Sequence, residues 1–176
     1  EALAYCQAAL ADPPVGFEGE HYSLEAFPIA PRPVGTVKLL VGGSGAVKTP
    51  RLAGTYADEF NVYMGEDLDK RIARAREAAA AAGRDPDALV FSSASQVIGA
   101  PDRKELAARI EELAVETGFT TDEYRERLAR SHIPVGTYDE LRERFAGLAS
   151  LGITRYYLQG RFDEDLATEF LEAIGG

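Results

Sequence analysis

The sequence predicts an α/β fold with parallel strands, and two observations carry that prediction. Short apolar runs end at glycine or at a polar turn, and helical segments separate each run from the next. Strand and helix then alternate from residue 37 to residue 174, the rhythm that parallel strands joined by helical crossovers produce.

Residues 1–11 read as a helix already under way, with neither an initiator Met nor a cap residue ahead of it. That start points to a chain cut from something longer, or one whose first part is absent. Asp12-Pro13-Pro14 stops the helix, because proline lacks a donor and clashes with the preceding turn. Five of the nine prolines fall between Pro13 and Pro33. Within that stretch residues 17–22 predict a hairpin around Gly19, and 27–33 an extended loop. Some twenty residues with little regular structure are often functional.

Residues 37–41, Val-Lys-Leu-Leu-Val, predict a buried strand that ends at Gly42-Gly43. Residues 49–56 predict a short helix with Pro50 in its first turn, and 58–63 a second strand. A helix over 66–82 carries Leu68, Ile72, Ala75 and Ala79 on one stripe and stops at Gly83. The third strand is predicted over 89–98. Helices follow at about 103–117 and 121–131, the first with Leu106, Ile110, Leu113 and Ala114 on one face. Thr137 with Glu140 three residues on forms a capping box for a helix over 138–151, which Gly152 ends. Residues 153–159 give the fourth strand and 162–174 the last helix. Four parallel strands make a small open sheet to cover on both faces. They match half of an eight-stranded (β/α)8 barrel better, and residues 1–176 are read as a single domain.

Composition narrows the function classes. With 176 residues, 45% apolar and 27% charged, the chain is long enough for a real core. A formal charge of -10 argues against nucleic acid and against anionic lipid as partners. The single cysteine, Cys6, can form neither an internal disulfide nor a zinc site, which fits a reducing, cytoplasmic setting. No apolar run approaches the length of a membrane span. No metal site is predicted.

The candidate chemistry centres on Gly42-Gly43-Ser44-Gly45, which follows a strand and precedes a helix. Glycines let backbone approach a ligand, and successive N–H groups at a helix start favour an anion. Ser44, Lys48 and Thr49 add side-chain donors. A tight turn that binds nothing is the plain alternative. Asp58 and Asn61 alternate with Phe60 and Val62 on the next strand, and by spacing alone local capping or pairing explains Asp58 better than a site role. Ser92, Ser93, Ser95 and Gln96 make the third strand polar, which suits either a planar cofactor or internal hydrogen bonding. His21 and His132 read as loop histidines, and Glu111-Glu112 as a solvated helix face. Arg161 closes the last strand, either within reach of an anionic ligand at a barrel mouth or as an exposed arginine leading the last helix.

An ordered series of segments resembles the luciferase-like monooxygenase superfamily. It runs through Phe17-Glu-Gly-Glu-His-Tyr22, Ala30-Pro-Arg-Pro33, Leu40-Val-Gly-Gly-Ser-Gly45, Arg51-Leu-Ala53, Tyr56-Ala-Asp-Glu-Phe-Asn61, Val135-Gly-Thr137 and Gly152-Ile-Thr-Arg-Tyr-Tyr-Leu-Gln159. The resemblance implies the C-terminal half of a TIM barrel, usually dimeric, with a flavin or deazaflavin cofactor at the barrel mouth. It implies that Gly42, Gly43, Ser44, Gly45 and Thr49 contact the cofactor phosphate, and that Asn61 and Tyr63 border it. The wording is closer to the branch that uses coenzyme F-420, with FMN as the alternative. The implied activity of the whole enzyme is hydride transfer with F-420 or FMN-dependent monooxygenation of a small-molecule substrate. The residues that the family places in the N-terminal half are not in this sequence, so no catalytic residue is assigned. A non-catalytic short relative that binds a phosphate ligand, associates with itself, or pairs with the missing half-barrel is the other reading.

Overall fold

The computed structural model describes residues 1–27, 29–31, 33–160 and 164–174, the last with backbone alone over 164–167. The helices are α1 (Ala2–Leu10), α2 (Lys48–Tyr56), α3 (Leu68–Ala81), α4 (Arg103–Thr117), α5 (Thr121–Arg130), α6 (Tyr138–Ser150) and α7 (Glu164–Ile174). The strands are β1 (Phe17–Glu18), β2 (Ser23–Leu24), β3 (Leu40–Gly43), β4 (Glu59–Val62), β5 (Val90–Ser95), β6 (Ile98–Ala100), β7 (Val135–Thr137) and β8 (Ile153–Leu158). A four-stranded parallel sheet runs in the order β3-β4-β5-β8, with helices in the crossovers. The predicted α/β class and all four of its strands are therefore present. The chain divides into two compact units, one of residues 1–62 and 67–91, the other of 63–66 and 92–176.

In the first unit α1 stops before Asp12-Pro13, and β1 and β2 form the expected hairpin, with Phe17 opposite Leu24. The Gly19 N–H closes its turn on the Tyr22 carbonyl at 2.9 Å. β3 and β4 pair in parallel, Leu40 opposite Glu59 and Gly43 opposite Val62. Leu68, Ile72, Ala75 and Ala79 bury the predicted face of α3. Phe60 and Phe91 are fully buried and meet edge to face at 6.2 Å. Burying each ring stabilises the unit by about 1.5–3 kcal/mol.

Two strand expectations need correction. The apolar run 37–41 does not form a buried strand: β3 begins at Leu40, and Leu40 is 50% exposed. The shift has a local cause. The Asp58 carboxylate accepts the Leu39 N–H at 2.8 Å, and the Leu39 carbonyl accepts the Asp58 and Glu59 N–H groups, so the ladder starts at Leu40 and not at residue 37. The exposure follows from position, because β3 is the outermost strand of its sheet. The second correction is to 89–98. That segment splits into β5 and β6 at Gln96-Val97, and β6 leaves for a two-stranded parallel sheet with β7.

The second unit has its own core. Ile98, Ala100, Leu106, Ile110, Ala114, Tyr124 and Leu128 pack together between β6, α4 and α5. Thr120 and Glu123 form a capping box at the start of α5, and Thr137 and Glu140 form the expected one at the start of α6. Val97, Tyr138, Leu141 and Phe170 make a second cluster.

Candidate functional site

The glycine loop lies wholly in the first unit. Gly42 and Gly43 are the last residues of β3, and Gly42 sits opposite Asn61 in the ladder. A Cβ on Gly42 would lie 3.5 Å from the Asn61 Cβ. Gly43 has φ 151°, a value L side chains rarely take, and faces the Thr49 methyl. A Cβ on Gly45 would come to 2.6 Å from Thr49 Oγ1, closer than real Cβ contacts, so the Thr49 side chain would have to shift. Glycine at 43 and 45 thus lets the chain curl around the Thr49 side chain. Residues 42–48 are exposed and Thr49 is half-buried.

α2 starts directly after this loop. Its N-cap is Val47, which has no side-chain oxygen to accept a first-turn N–H. The leading N–H groups of the helix are left to solvent or a ligand, and the positive end of the helix dipole lies there.

Behind the loop stand two arginines that spacing did not single out. Arg71 is buried, with its Nε 2.8 Å from Asp67 Oδ1 and its Nη1 donating to the Ser44 carbonyl at 2.9 Å. Arg74 Nη1 donates to the Ala46 carbonyl at 2.8 Å. The Arg71 guanidinium also holds the Asp67 carboxyl below its ordinary range, chiefly through that hydrogen bond and against some desolvation. The signal available in the sequence was an arginine three residues after Leu68 and four before Ala75, on the buried face of a helix.

The structure therefore gathers Gly42, Gly43, Ser44, Gly45, Thr49 and Asn61. Tyr63 falls in the other unit, and its side chain is about half exposed. Asp58 takes its local role, accepting from Leu39 N–H and pairing with Lys38 Nζ at 3.3 Å. Ser95 is used internally, its Oγ 2.5 Å from the Tyr156 hydroxyl and donating to the Gln96 carbonyl. Burial raises the Tyr156 pKa, partly offset by Ser95. Ser92 and Ser93 are buried. His21 lies in the β1–β2 turn, where its backbone N–H bonds the Glu1 carboxylate. His132 follows α5 at φ 53°. Among the described residues no three His, Cys, Asp or Glu side chains are grouped as for a metal. No helix among them is long and apolar enough to cross a membrane. Arg161 lies outside the described residues.

The profile of the luciferase-like monooxygenases matches residues 1–155. The chain belongs to the luciferase-like monooxygenase family. No curated protein sequence matches it. Among solved structures, this luciferase-like chain is similar to an F-420-dependent secondary alcohol dehydrogenase in complex with an F-420–acetone adduct. The TM-score is 0.70 at 20% identity, over 98% of this chain and 58% of that one. It is similar to the coenzyme F-420-dependent tetrahydromethanopterin reductase from Methanopyrus kandleri, at TM-score 0.64 and 15% identity, over 98% and 58%. It is also similar to the oxygenating constituent of 3,6-diketocamphane monooxygenase from Pseudomonas putida in complex with FMN. There the TM-score is 0.61 at 16% identity, over 98% and 59%. At these identities the likeness is one of fold: four parallel strands of a (β/α)8 barrel with their helices. The luciferase-like chain spans little more than half the length of these structures.

Proposed function

We propose that this luciferase-like chain is the C-terminal half of a flavin- or deazaflavin-dependent oxidoreductase, and that its loop 42–45 grips the phosphate of the cofactor. One observation carries the reading. An exposed loop, curled around Thr49 by glycines 43 and 45, leads into a helix whose first N–H groups have no side-chain cap. A phosphate needs converging N–H donors and a positive field, and both are on offer there. Thr49 Oγ1 and the Ser44 hydroxyl are further donors, and Asn61 flanks them across the ladder. The tight approach at Gly45, where a Cβ would strike Thr49, supports the reading, because no side chain at that position stands in the way.

The cofactor supplies hydride transfer when it is F-420, or supports monooxygenation when it is FMN. The part of this chain is to hold and orient the cofactor tail, so that the reactive ring is presented to the substrate. Similarity to structures described with F-420 supports the deazaflavin, and similarity to one described with FMN supports the alternative. Residues 1–176 act in this reading as a single domain.

Spectral titration of the naturally produced protein with FMN and with F-420 is the direct test. Micromolar binding of F-420 with far weaker FMN binding is expected. Gly43→Asp should abolish binding, by adding both bulk and a negative charge where the phosphate sits. Unchanged affinity in that variant sinks the phosphate-loop reading.

The open outer edge of β3 favours a second reading beside the first. An edge strand with half-exposed Leu40 is a template for another chain. The expected occupant is the other half of the barrel, or a second copy of this chain. A 176-residue protein that sediments as a monomer at micromolar concentration would remove the second copy.

A further inference from the structure

The two arginines behind the glycine loop set the direction of its N–H groups. In a trans peptide unit the C=O and the N–H point in opposite directions. Arg71 Nη1 holds the Ser44 carbonyl toward α3. The Gly45 N–H shares that peptide plane, so it points away from α3. Arg74, one turn further along the same helix, holds the Ala46 carbonyl, and so turns the Val47 N–H away too. The two clasped carbonyls are two residues apart in the loop, and the two clasping side chains three apart on α3. The matched spacing fixes two N–H groups on the side of the loop away from the arginines. Neither donates a backbone hydrogen bond to another described residue. Both residues are exposed.

Arg71 is suited to hold rather than to contact a ligand. Its side chain is only 10% exposed, and its Nε is tied to Asp67. A guanidinium is a planar fork that can bond a carboxylate and a carbonyl at once, which an ammonium on a flexible stem does not reproduce.

We propose that Arg71, with Arg74, is a positioning residue that pre-orients the Gly45 and Val47 N–H groups as donors to the cofactor phosphate. The inference rests on the phosphate-loop reading. Without the arginines the loop would have to be ordered by the ligand itself, which weakens binding. The loss falls on the phosphate and not on the rest of the cofactor.

The test compares ligands with and without phosphate. The naturally produced protein and its Arg71→Ala, Arg71→Lys and Arg74→Ala variants are titrated with FMN against riboflavin. They are also titrated with F-420 against the deazariboflavin core that lacks the phosphate. The wild type is expected to prefer the phosphate-bearing member of at least one pair. Arg71→Ala should cut that preference about tenfold or more and Arg74→Ala about threefold or more, the scale of lost hydrogen bonds to charged groups. Arg71→Lys should not restore it, and affinity for the phosphate-free member should stay the same in every variant. Equal losses for both members of a pair would make the arginines merely structural and overturn the proposal. An unchanged preference in both alanine variants overturns it as well. If Gly43→Asp still abolishes binding in that case, the loop reading survives alone. A wild type that shows no phosphate preference, or binds none of the four ligands, removes the loop reading and this proposal together. Should Arg71→Ala fail to fold by circular dichroism, Arg74→Ala, at a half-buried position, decides.

Discussion

Gly54 of α2 lies so close to α3 that a Cβ placed on it would sit 2.1 Å from the carbonyl oxygen of Ala75. The same Cβ would be 2.8 Å from the Ala78 Cβ and 2.9 Å from the Ala79 nitrogen. Those atoms belong to a helix backbone and its shortest side chain, so nothing flexible can move aside. In an isolated helix Gly54→Ala would gain about 1 kcal/mol of propensity. Here the overpacking, about 1–3 kcal/mol or more, should win. The expected outcome is a lower midpoint in urea unfolding at unchanged slope. Under the proposed phosphate-loop reading cofactor affinity should fall as well, since α2 carries Thr49 at its other end. A variant as stable as the wild type would mean that the two helices do not approach this closely.

Arg84 should stabilise the far end of the same helix. Its Nη1 donates to the Gly54 carbonyl and its Nη2 to the Ala57 carbonyl, both at 2.6 Å. These oxygens lie at the C-terminal end of α2, where intrahelical donors run out and the helix dipole is negative. Two charge-assisted hydrogen bonds in a partly exposed setting support an estimate of about 1–2 kcal/mol for Arg84→Ala. Arg84→Lys should recover less than half of that, because one ammonium cannot span both oxygens in the fork geometry. Thermal unfolding of the two variants side by side checks the prediction, and equal stability of all three proteins would refute it.

Much of the fold is legible in the amino-acid sequence. α3 was readable because Leu68, Ile72, Ala75 and Ala79 repeat at helical spacing, and all four are buried. α6 was readable from Thr137 and Glu140, which do form their box. What escaped was structure without periodicity. β7 has three residues with a glycine at its centre, too short for an alternation to show. The exposure of Leu40 depends on β3 being outermost, a property of strand order that no local pattern contains. At the candidate site the glycines were legible as punctuation, and their need is plain in the approach of Thr49 to Gly45. The arginines were not, because the carbonyls they hold lie 27 and 28 residues back in the chain. Only the packing of α3 brings them together.

The capping box at α6 makes a sharper prediction than its own energy suggests. Thr137 is also the last residue of β7, so one residue ends a strand and starts a helix. Its N–H donates to Glu140 Oε2 at 2.9 Å, and Glu140 also pairs with Arg103 on α4. Thr137→Ala should cost about 1 kcal/mol through the lost cap. Thr137→Ser should cost far less, since it keeps the hydroxyl. Hydrogen exchange should show faster amides in the first turn of α6 in the alanine variant alone. If serine and alanine are equally damaging, β-branching in the strand is what matters, and the cap argument fails.

Asp67 links acidity to the glycine loop. The hydrogen bond from Arg71 Nε is the main cause of its lowered pKa; desolvation opposes it, and the charges of Arg71 and Arg74 add to it. A carboxyl with a lower pKa folded than unfolded favours the native state in its ionised form. The contribution is complete at neutral pH. It begins to fall where an unfolded aspartate takes up its proton, at about pH 4, and is lost once the pH passes below the depressed folded value. Asp67→Asn keeps the shape and removes the charge. The melting-temperature gap between wild type and Asp67→Asn should therefore be positive at pH 7 and shrink steadily toward pH 3. Because Asp67 anchors the guanidinium that holds Ser44, the variant should also lose part of the proposed preference for phosphate-bearing cofactor at pH 7. A melting gap that stays constant across that range would show that the Asp67–Arg71 pair is not what ties this part of α3 to pH.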